Sequence, residues 1–218
     1  MSQVVGTLVV YLTPTGIKIA VKKLGLKVMA TGPEWKVLLS NDLNKVFYEC
    51  PLQQFRSFAN KDEALVSGNL YESLPFVKDT RVQMLHLDAI KYKTPLSLAV
   101  RAKAEHKEGL TDNGAVQSAY YCLADKLPVP QQEGLIMEKF YGLTVIKGVP
   151  LEFRYVNLVD EHRSRLYSSL CQGRAIPLSE FARPNGYRAV KSMQEVWVDT
   201  SQSEGFNDMM EGLGHLAK

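Results

Sequence analysis

The feature that most constrains the fold is an alternation of apolar and polar residues that runs through residues 16–50. In the segment GIKIAVKK, Ile17, Ile19 and Val21 alternate with lysines, which gives one apolar and one solvated face. The segments LGLKVMA, EWKVLL and KVFYEC repeat the pattern, and GP and SNDLN supply turn residues between them. The pattern predicts an antiparallel meander of four strands with one apolar face.

The hairpin predicted at residues 34–55 contains charged residues and a thiol that could belong to an active site. By alternation, Glu34 falls on the solvated face, whereas Cys50 shares a face with Tyr48 and points away from Glu49. Nothing in the local sequence favours a thiolate at Cys50. We therefore predict a core thiol at this position rather than a nucleophile.

The rest of the chain combines further strands with a few helices. The clearest helix is LPVPQQEGLIMEKFYGL, which has prolines at its entrance and Gly142 where a C-cap is expected. Alternation predicts one strand in RVQMLHLDAIKYKT. It also favours a strand in PLSLAVRAKAEHKEG, although Thr94-Pro95 fits a helix start. Further strands are predicted in AVQSAYYCLAD, GVPLEFRYVNLV, SRLYSSLCQGRAIPL and YRAVKSMQEVWVD, with a turn in TDNG and a short helix in GFNDMMEGLG.

These elements predict an α+β protein that is dominated by antiparallel sheet, with about nine to eleven strands and two or three helices. The 218 residues are predicted to form a single domain, residues 1–218. Apolar residues make up 45% of the chain and charged residues 22%, so it can bury a core without disulfides or metals.

Several function classes lack support in the sequence. No phosphate-cradling or dinucleotide-binding glycine motif is present, and neither is a zinc-protease or serine-hydrolase motif. The net charge is only +3 and the basic residues are dispersed, so no nucleic-acid partner is predicted. No apolar run is long enough to span a membrane. Cys50, Cys122 and Cys171 fit no metal-binding spacing and are predicted to be buried in strands, although one disulfide remains open. No metal or cofactor is predicted.

Two groups of residues could support enzymatic chemistry. His86 and Asp88 lie on one face of a predicted strand, and such a pair can act as an oriented general base. A surface hydrogen bond explains the same spacing. In the turn DEHR, Asp160, Glu161 and His162 are consecutive and would point in different directions, so a solvated turn is favoured over a metal site. We predict no catalytic residue and no enzyme activity.

The location of the protein is not fixed by the sequence. The segment MSQVVGTLVVYLTPTG contains an apolar run, but no basic region precedes it and no small-residue cleavage site follows it. A periplasmic or secreted location would require a leader removed before residue 1. Otherwise the compartment is unknown.

Three segments together resemble a known family. PEWKVLLSNDLNKVFYECPLQQF, AYYCLADKLPVPQQEGLIMEKFYGL followed by GVPLEFRY, and LSEFARPNGYRAV are similar to strands and a proline-entered helix of periplasmic proteins related to the outer-membrane lipoprotein carriers. This resemblance implies a strongly curved antiparallel half-barrel with helices packed on its concave side. It also implies an apolar ligand, such as an acyl chain, held against that side.

The predicted function is therefore non-enzymatic binding or transport of a hydrophobic, lipid-like small molecule in a cavity between sheet and helices. Alternating inward positions, the tryptophans and the clearest helix supply the predicted lining: Ile19, Val28, Trp35, Val37, Leu39, Tyr48, Met84, Met137, Phe140, Phe153 and Trp197. The alternative is a protein-interaction or structural module in which side chains fill the sheet interior and a protein partner binds at its surface.

Overall fold

The computed structural model describes residues 8–56, 71–109 and 115–197. Contacts divide the chain into two compact units. Of the described residues, 8–55 and 174–197 belong to the first unit, and those between 56 and 173 belong to the second. The prediction of one domain over residues 1–218 stays a prediction.

The first unit contains a six-stranded sheet. Five strands form an antiparallel meander: β1 (Leu8–Thr13), β2 (Gly16–Val21), β3 (Leu26–Thr31), β4 (Lys36–Asn41) and β5 (Val46–Pro51). The sixth strand, β11 (Arg188–Ala189), pairs parallel with β5, so the order is β1-β2-β3-β4-β5-β11. Backbone hydrogen bonds hold β11 against β5. The Arg188 N–H donates to the Lys45 carbonyl at 2.8 Å, and the Val190 N–H donates to the Phe47 carbonyl at 2.9 Å.

Turn chemistry explains why the meander has these boundaries. After β2, a 3₁₀ turn at Lys22–Leu24 ends at Gly25, whose φ of 62° is the left-handed conformation that glycine adopts without strain. After β4, the Asn41 side-chain oxygen accepts hydrogen bonds from the backbone N–H groups of Leu43 and Asn44, at 2.8 and 3.2 Å. An asparagine that bonds its own turn in this way closes a hairpin. The four predicted strands are confirmed, whereas β1 is an element that the sequence reasoning missed.

The second unit contains a five-stranded antiparallel sheet with two helices against it. The strands are β6 (Val77–Met84), β7 (Leu87–Lys93), β8 (Val116–Ala124), β9 (Val149–Asn157) and β10 (His162–Tyr167), in the order β10-β9-β8-β7-β6. Helix α1 (Leu96–Lys107) packs against β8, and helix α2 (Gln131–Tyr141) packs against β9. A last short helix, α3 (Gln194–Trp197), belongs to the first unit and contacts β4 and β5.

Helix α2 is the predicted helix, and its ends follow the predicted rules. It begins after Pro130, and Gly142 ends it with φ 63° while the Leu143 N–H donates to the Glu138 carbonyl at 2.8 Å. Gly134 lets the helix approach closely, since a Cβ there would lie 2.1 Å from the carbonyl oxygen of Gly148. Gly134 thus allows α2 to pack closely against the start of β9.

Rings form the core of the second unit. Phe153 and Tyr121 are each 0% exposed, and their ring centroids lie 5.5 Å apart at an interplanar angle of 74°. Phe153 also meets Tyr71 edge-on at 5.9 Å and Phe76 at 6.1 Å. Edge-to-face contacts of this kind stabilise beyond the area that they bury, so the core depends on ring orientation as well as on burial.

Four strand predictions were wrong in whole or in part. Residues 164–178 were predicted as one strand, but the strand ends at Tyr167 and residues 168–177 lie outside any strand. Residues 96–107 form α1, in which Leu98 and Ala102 are buried one turn apart. The predicted strand in RVQMLHLDAIKYKT is a hairpin, because Leu85 and His86 have φ of 54° and 65° and reverse the chain between β6 and β7. Residues 187–199 were predicted as one strand, but within the described part only Arg188–Ala189 is a strand and Trp197 ends α3.

The coarse fold class is confirmed, with mostly β structure and, in the described ranges, eleven strands and three α-helices. Neither sheet is closed or strongly curled. The half-barrel therefore stays a prediction. None of the three described cysteines forms a disulfide; Cys50 and Cys122 are buried in strands, whereas Cys171 is exposed and outside any strand, against expectation. The turn predicted at residues 111–114 and the helix predicted at residues 205–214 lie outside the described residues.

Candidate functional site

The apolar face of the first sheet brings together several residues that the sequence marked as ligand-binding candidates. Strand register places Ile19, Val28, Leu39 and Tyr48 in one row across β2, β3, β4 and β5. The first three are at most 1% exposed, and Tyr48 is half-buried. Val37, 0% exposed, lies in the next row opposite Cys50. The alternation thus predicted a continuous apolar surface correctly.

The two tryptophans are not strand residues. Trp35 lies in the turn before β4 with φ 51°, is half-buried, and places its ring next to Gly32. Trp197 ends α3 and is half-buried. Near it, the buried Asn41 side chain donates to the Val196 carbonyl at 3.1 Å and so ties α3 to the end of β4.

The remaining lining candidates belong to the second unit. Phe153 and Met137 are buried, at 0% and 3% exposure, whereas Phe140 and Met84 are half-buried. Phe153 is part of the ring cluster described above, and Met84 ends β6. These four therefore belong to the second unit, whereas the other predicted lining residues belong to the first.

A buried acid of α2 was not anticipated. Glu138 is 1% exposed, and its Oε1 accepts hydrogen bonds from the Ile146 N–H at 2.7 Å and from the Tyr121 hydroxyl at 3.4 Å. Burial disfavours the ionised carboxylate and raises the pKa of Glu138 to about 8. Burial also raises the pKa of Tyr121 well above its usual value. The hydrogen bond from Ile146 anchors the segment after α2 to Glu138, and Tyr121 belongs to the ring cluster.

His86 and Asp88 are not arranged as a general base and the carboxylate that orients it. His86 is exposed in the β6–β7 turn, and Asp88 instead accepts hydrogen bonds from Gln83 and, at 2.8 Å, from Lys126. The Lys126 hydrogen bond lowers the pKa of Asp88. A surface cavity of about 240 Å³ adjoins these groups. Its other cation, Arg81, is paired with Asp125 at 3.3 Å.

The described residues do not provide a set of ligands for a metal ion. Within residues 8–56, 71–109 and 115–197, no cluster of three or more His, Cys, Asp or Glu side chains could hold a metal ion. In the DEHR turn, the Glu161 carboxylate accepts from Asn157 at 2.9 Å and pairs with Arg163 at 2.8 Å. No helix in the same described residues is long and apolar enough to cross a membrane.

A second cavity, of about 250 Å³, lies on the other face of the first sheet. The sequence reasoning took this face as solvated, yet Lys18 is only 8% exposed and Ser40 is 0% exposed. The floor consists of strand residues and the wall of the segment before β11: Lys18, Lys27, Met29 and Ser40, and Ser179, Glu180, Ala182, Arg183 and Pro184. We call this the basic cavity. Alternation predicts that its floor residues share a face, but not that residues 179–184 cover them.

No family model and no curated protein matches the chain. Among solved structures, the chain is similar to an uncharacterized conserved protein from Thermus thermophilus. The match has 8% sequence identity, covers 80% of each chain and has a TM-score of 0.34. A likeness this distant carries no argument about function, which must come from the residues themselves.

Proposed function

We propose that the protein binds a hydrophobic small molecule, such as a lipid acyl chain, without catalysing a reaction on it. The observation that carries the proposal is the row of Ile19, Val28, Leu39 and Tyr48, which continues across four strands with no charged side chain in it. An acyl chain needs such a surface and few polar contacts, because each CH₂ removed from water contributes about 0.8 kcal/mol.

The proposal also includes the finer points that the family resemblance implies. These are a relation to the lipoprotein carriers, a strongly curved half-barrel around the ligand, and a periplasmic location. Three residues of the apolar row, Ile19, Val28 and Leu39, are shielded from water by other parts of the chain. Binding therefore requires side chains packed on it to move aside. Helix α3, which contacts β4 and β5, is the described element placed to do so.

Titration with a fluorescent fatty acid tests the proposal. We expect saturable binding and energy transfer from Trp197, which remains as the donor in a Trp35→Phe variant because the chain has two tryptophans. Tyr48→Ala, at the half-buried end of the row, should raise the Kd at least fivefold. Tyr167→Ala, on an exposed tyrosine of the second unit, should leave the Kd within twofold. A folded protein without saturable binding would exclude the proposal.

A protein-interaction module is the second candidate, because α1 exposes two large apolar side chains one turn apart. Leu96 is 81% exposed and Val100 is 65% exposed, while the opposite face of α1 packs on β8. If this face binds a second copy of the chain, sedimentation velocity should show concentration-dependent association. A Leu96→Glu, Val100→Glu variant should abolish it, and Ser97→Glu on the same helix should not. Wild-type protein that stays monomeric at all concentrations argues against this candidate.

A further inference from the structure

We propose that the basic cavity is a binding site for a small oxyanion, a phosphate or carboxylate group. This proposal is independent of the apolar row, which occupies the opposite face of the same sheet. It starts from strand register. Lys27 and Ser40 are direct cross-strand partners on β3 and β4, and Ser40 is in turn opposite Phe47 on β5. The Ser40 hydroxyl therefore lies between a lysine and a phenyl ring.

Arg183 places a second cation over this row. Its guanidinium carbon lies 4.0 Å from the centroid of the Phe47 ring, within the range of a cation–π contact. The ring satisfies the face of the guanidinium but none of its N–H donors. Within the described residues, no carboxylate pairs with Arg183. Its donor fork, which fits phosphate and carboxylate oxygens in pairs, is thus available to a ligand.

The charge balance of the cavity is positive. Among its described lining residues, Lys18, Lys27 and Arg183 are cations and Glu180 is the one carboxylate. Glu180 pairs with Lys18 at 2.5 Å, and Asp42, which does not line the cavity, pairs with Lys27 at 2.6 Å. Each lysine is thereby paired with a carboxylate, while no carboxylate of the described residues offsets the charge of Arg183. The field in the cavity therefore favours an anion.

Ser40 supplies the second, independent observation. Its hydroxyl is fully buried, and within the described residues it has no hydrogen-bond partner. A buried hydroxyl without a partner costs free energy, so such groups are rare unless a ligand or water completes them. An oxyanion between Lys27 and Arg183 would accept this hydrogen bond. One ligand thus satisfies the buried hydroxyl and the guanidinium donors together.

The volume of the cavity fits a small ligand. A volume of about 250 Å³ corresponds to roughly eight water molecules at their share of liquid volume. A phosphate ion or a short carboxylic acid fits within it, whereas a macromolecular anion could present only one group. We therefore propose a small molecule as the ligand.

The test is calorimetric titration of the full chain with inorganic phosphate and, separately, with succinate, in chloride buffer of constant ionic strength. We expect saturable binding of at least one anion at one site per chain, and the tighter of the two identifies the head group. Arg183→Gln should weaken that binding at least tenfold, and Ser40→Ala at least fivefold. Arg188→Gln, an exposed arginine of the same chain segment outside the cavity, should change it less than twofold.

Two kinds of result would overturn the proposal. One is a folded wild-type protein that binds neither anion saturably. The other is binding that survives Arg183→Gln or Ser40→Ala, or that Arg188→Gln weakens equally. If Arg183→Gln fails to fold, Arg183→Lys retains the charge without the donor fork and should still weaken binding. Unchanged binding in that variant would equally contradict the assignment.

Discussion

Each of the two units buries a polar side chain, Glu138 on helix α2 in the second and Ser40 on strand β4 in the first, and the two cases differ in how that side chain is satisfied. In the second unit, Glu138 receives hydrogen bonds from Ile146 and Tyr121 amid a cluster of rings. In the first unit, the Ser40 hydroxyl is equally buried, but its described surroundings offer it no partner. The second unit's acid is satisfied within the chain, whereas the first unit's hydroxyl has no hydrogen-bond partner among the described residues, and the oxyanion proposed above would complete it.

The apolar parts of the two units also differ in how specifically their side chains are packed. The second unit packs large rings in defined orientations around Phe153, so its core depends on a few specific contacts. The first unit presents a surface of aliphatic side chains in regular rows. A surface of that kind gains from any apolar partner, while a cluster of interlocked rings tolerates little change. The comparison therefore assigns the more specific packing to the second unit, and it supports the proposal that a ligand binds to the first.

The largest expected effect comes from deleting a core side chain in each unit. Phe153→Ala should lower the free energy of unfolding of the second unit by about 4 kcal/mol, because a large cavity opens and edge-to-face contacts are lost. Val28→Ala in the first unit should cost about 2 kcal/mol, since only two methyl groups are removed. Hydrogen exchange at β9 and β3 amides in denaturant measures both. Equal losses would remove the distinction between the two cores.

The pH dependence of the free energy of unfolding tests whether burial raises the pKa of Glu138. The pKa of Glu138 is about 8 in the folded chain, above its ordinary value of 4.5. The folded state therefore binds the proton more tightly, and this contribution to stability is full below pH 4.5 and lost as the pH rises to about 8. Each pH unit in this window lowers the free energy of unfolding by up to about 1.4 kcal/mol.

A neutral replacement should remove that slope. Between about pH 5 and 7.5, wild-type protein should lose about 3 kcal/mol relative to Glu138→Gln, which cannot ionise but can still accept the Ile146 hydrogen bond. Denaturant titrations at several pH values give the comparison. Glu108→Gln, on an exposed residue, should leave the slope as in the wild type. A Glu138→Gln slope identical to that of the wild type would contradict burial as the cause.

The smallest expected effect concerns Ser40 in the absence of a ligand. Ser40→Ala removes an unsatisfied buried hydroxyl and should raise the free energy of unfolding by about 1 kcal/mol. Saturating phosphate or succinate should reverse the order of the two proteins, because only the wild type offers the hydroxyl to the anion. Thermal unfolding of both proteins, with and without the anion, measures the stability difference between them and whether its sign reverses. If Ser40→Ala destabilises the ligand-free chain, the hydroxyl is satisfied from within, as Glu138 is.

The sequence predicted the elements whose signals are local. Strands β2, β3, β4 and β5 follow from alternation and turn residues, and α2 follows from its prolines and Gly142. Sequence reasoning failed where two periodicities overlap. In α1, Leu96, Leu98 and Val100 alternate by chance, whereas the informative spacing is that of Leu98 and Ala102, the buried pair.

Other failures reflect conformations that the residue types do not indicate. The β6–β7 turn uses Leu85 and His86 at positive φ, where glycine or asparagine would have given a turn signal. Of the candidate sites, the apolar row followed from alternation alone. The basic cavity did not, because Arg183 reaches Phe47 through a tertiary contact between residues far apart in sequence.

The parallel pairing of β11 with β5 affects how the chain is made. β5 and β11 are separated in sequence by the whole second unit, so a growing chain leaves the ribosome with the β5 edge unpaired while all of that unit is synthesised. Open strand edges are the groups through which nascent chains associate wrongly. The β5 edge can thus be paired only after Arg188 and Ala189 have been synthesised.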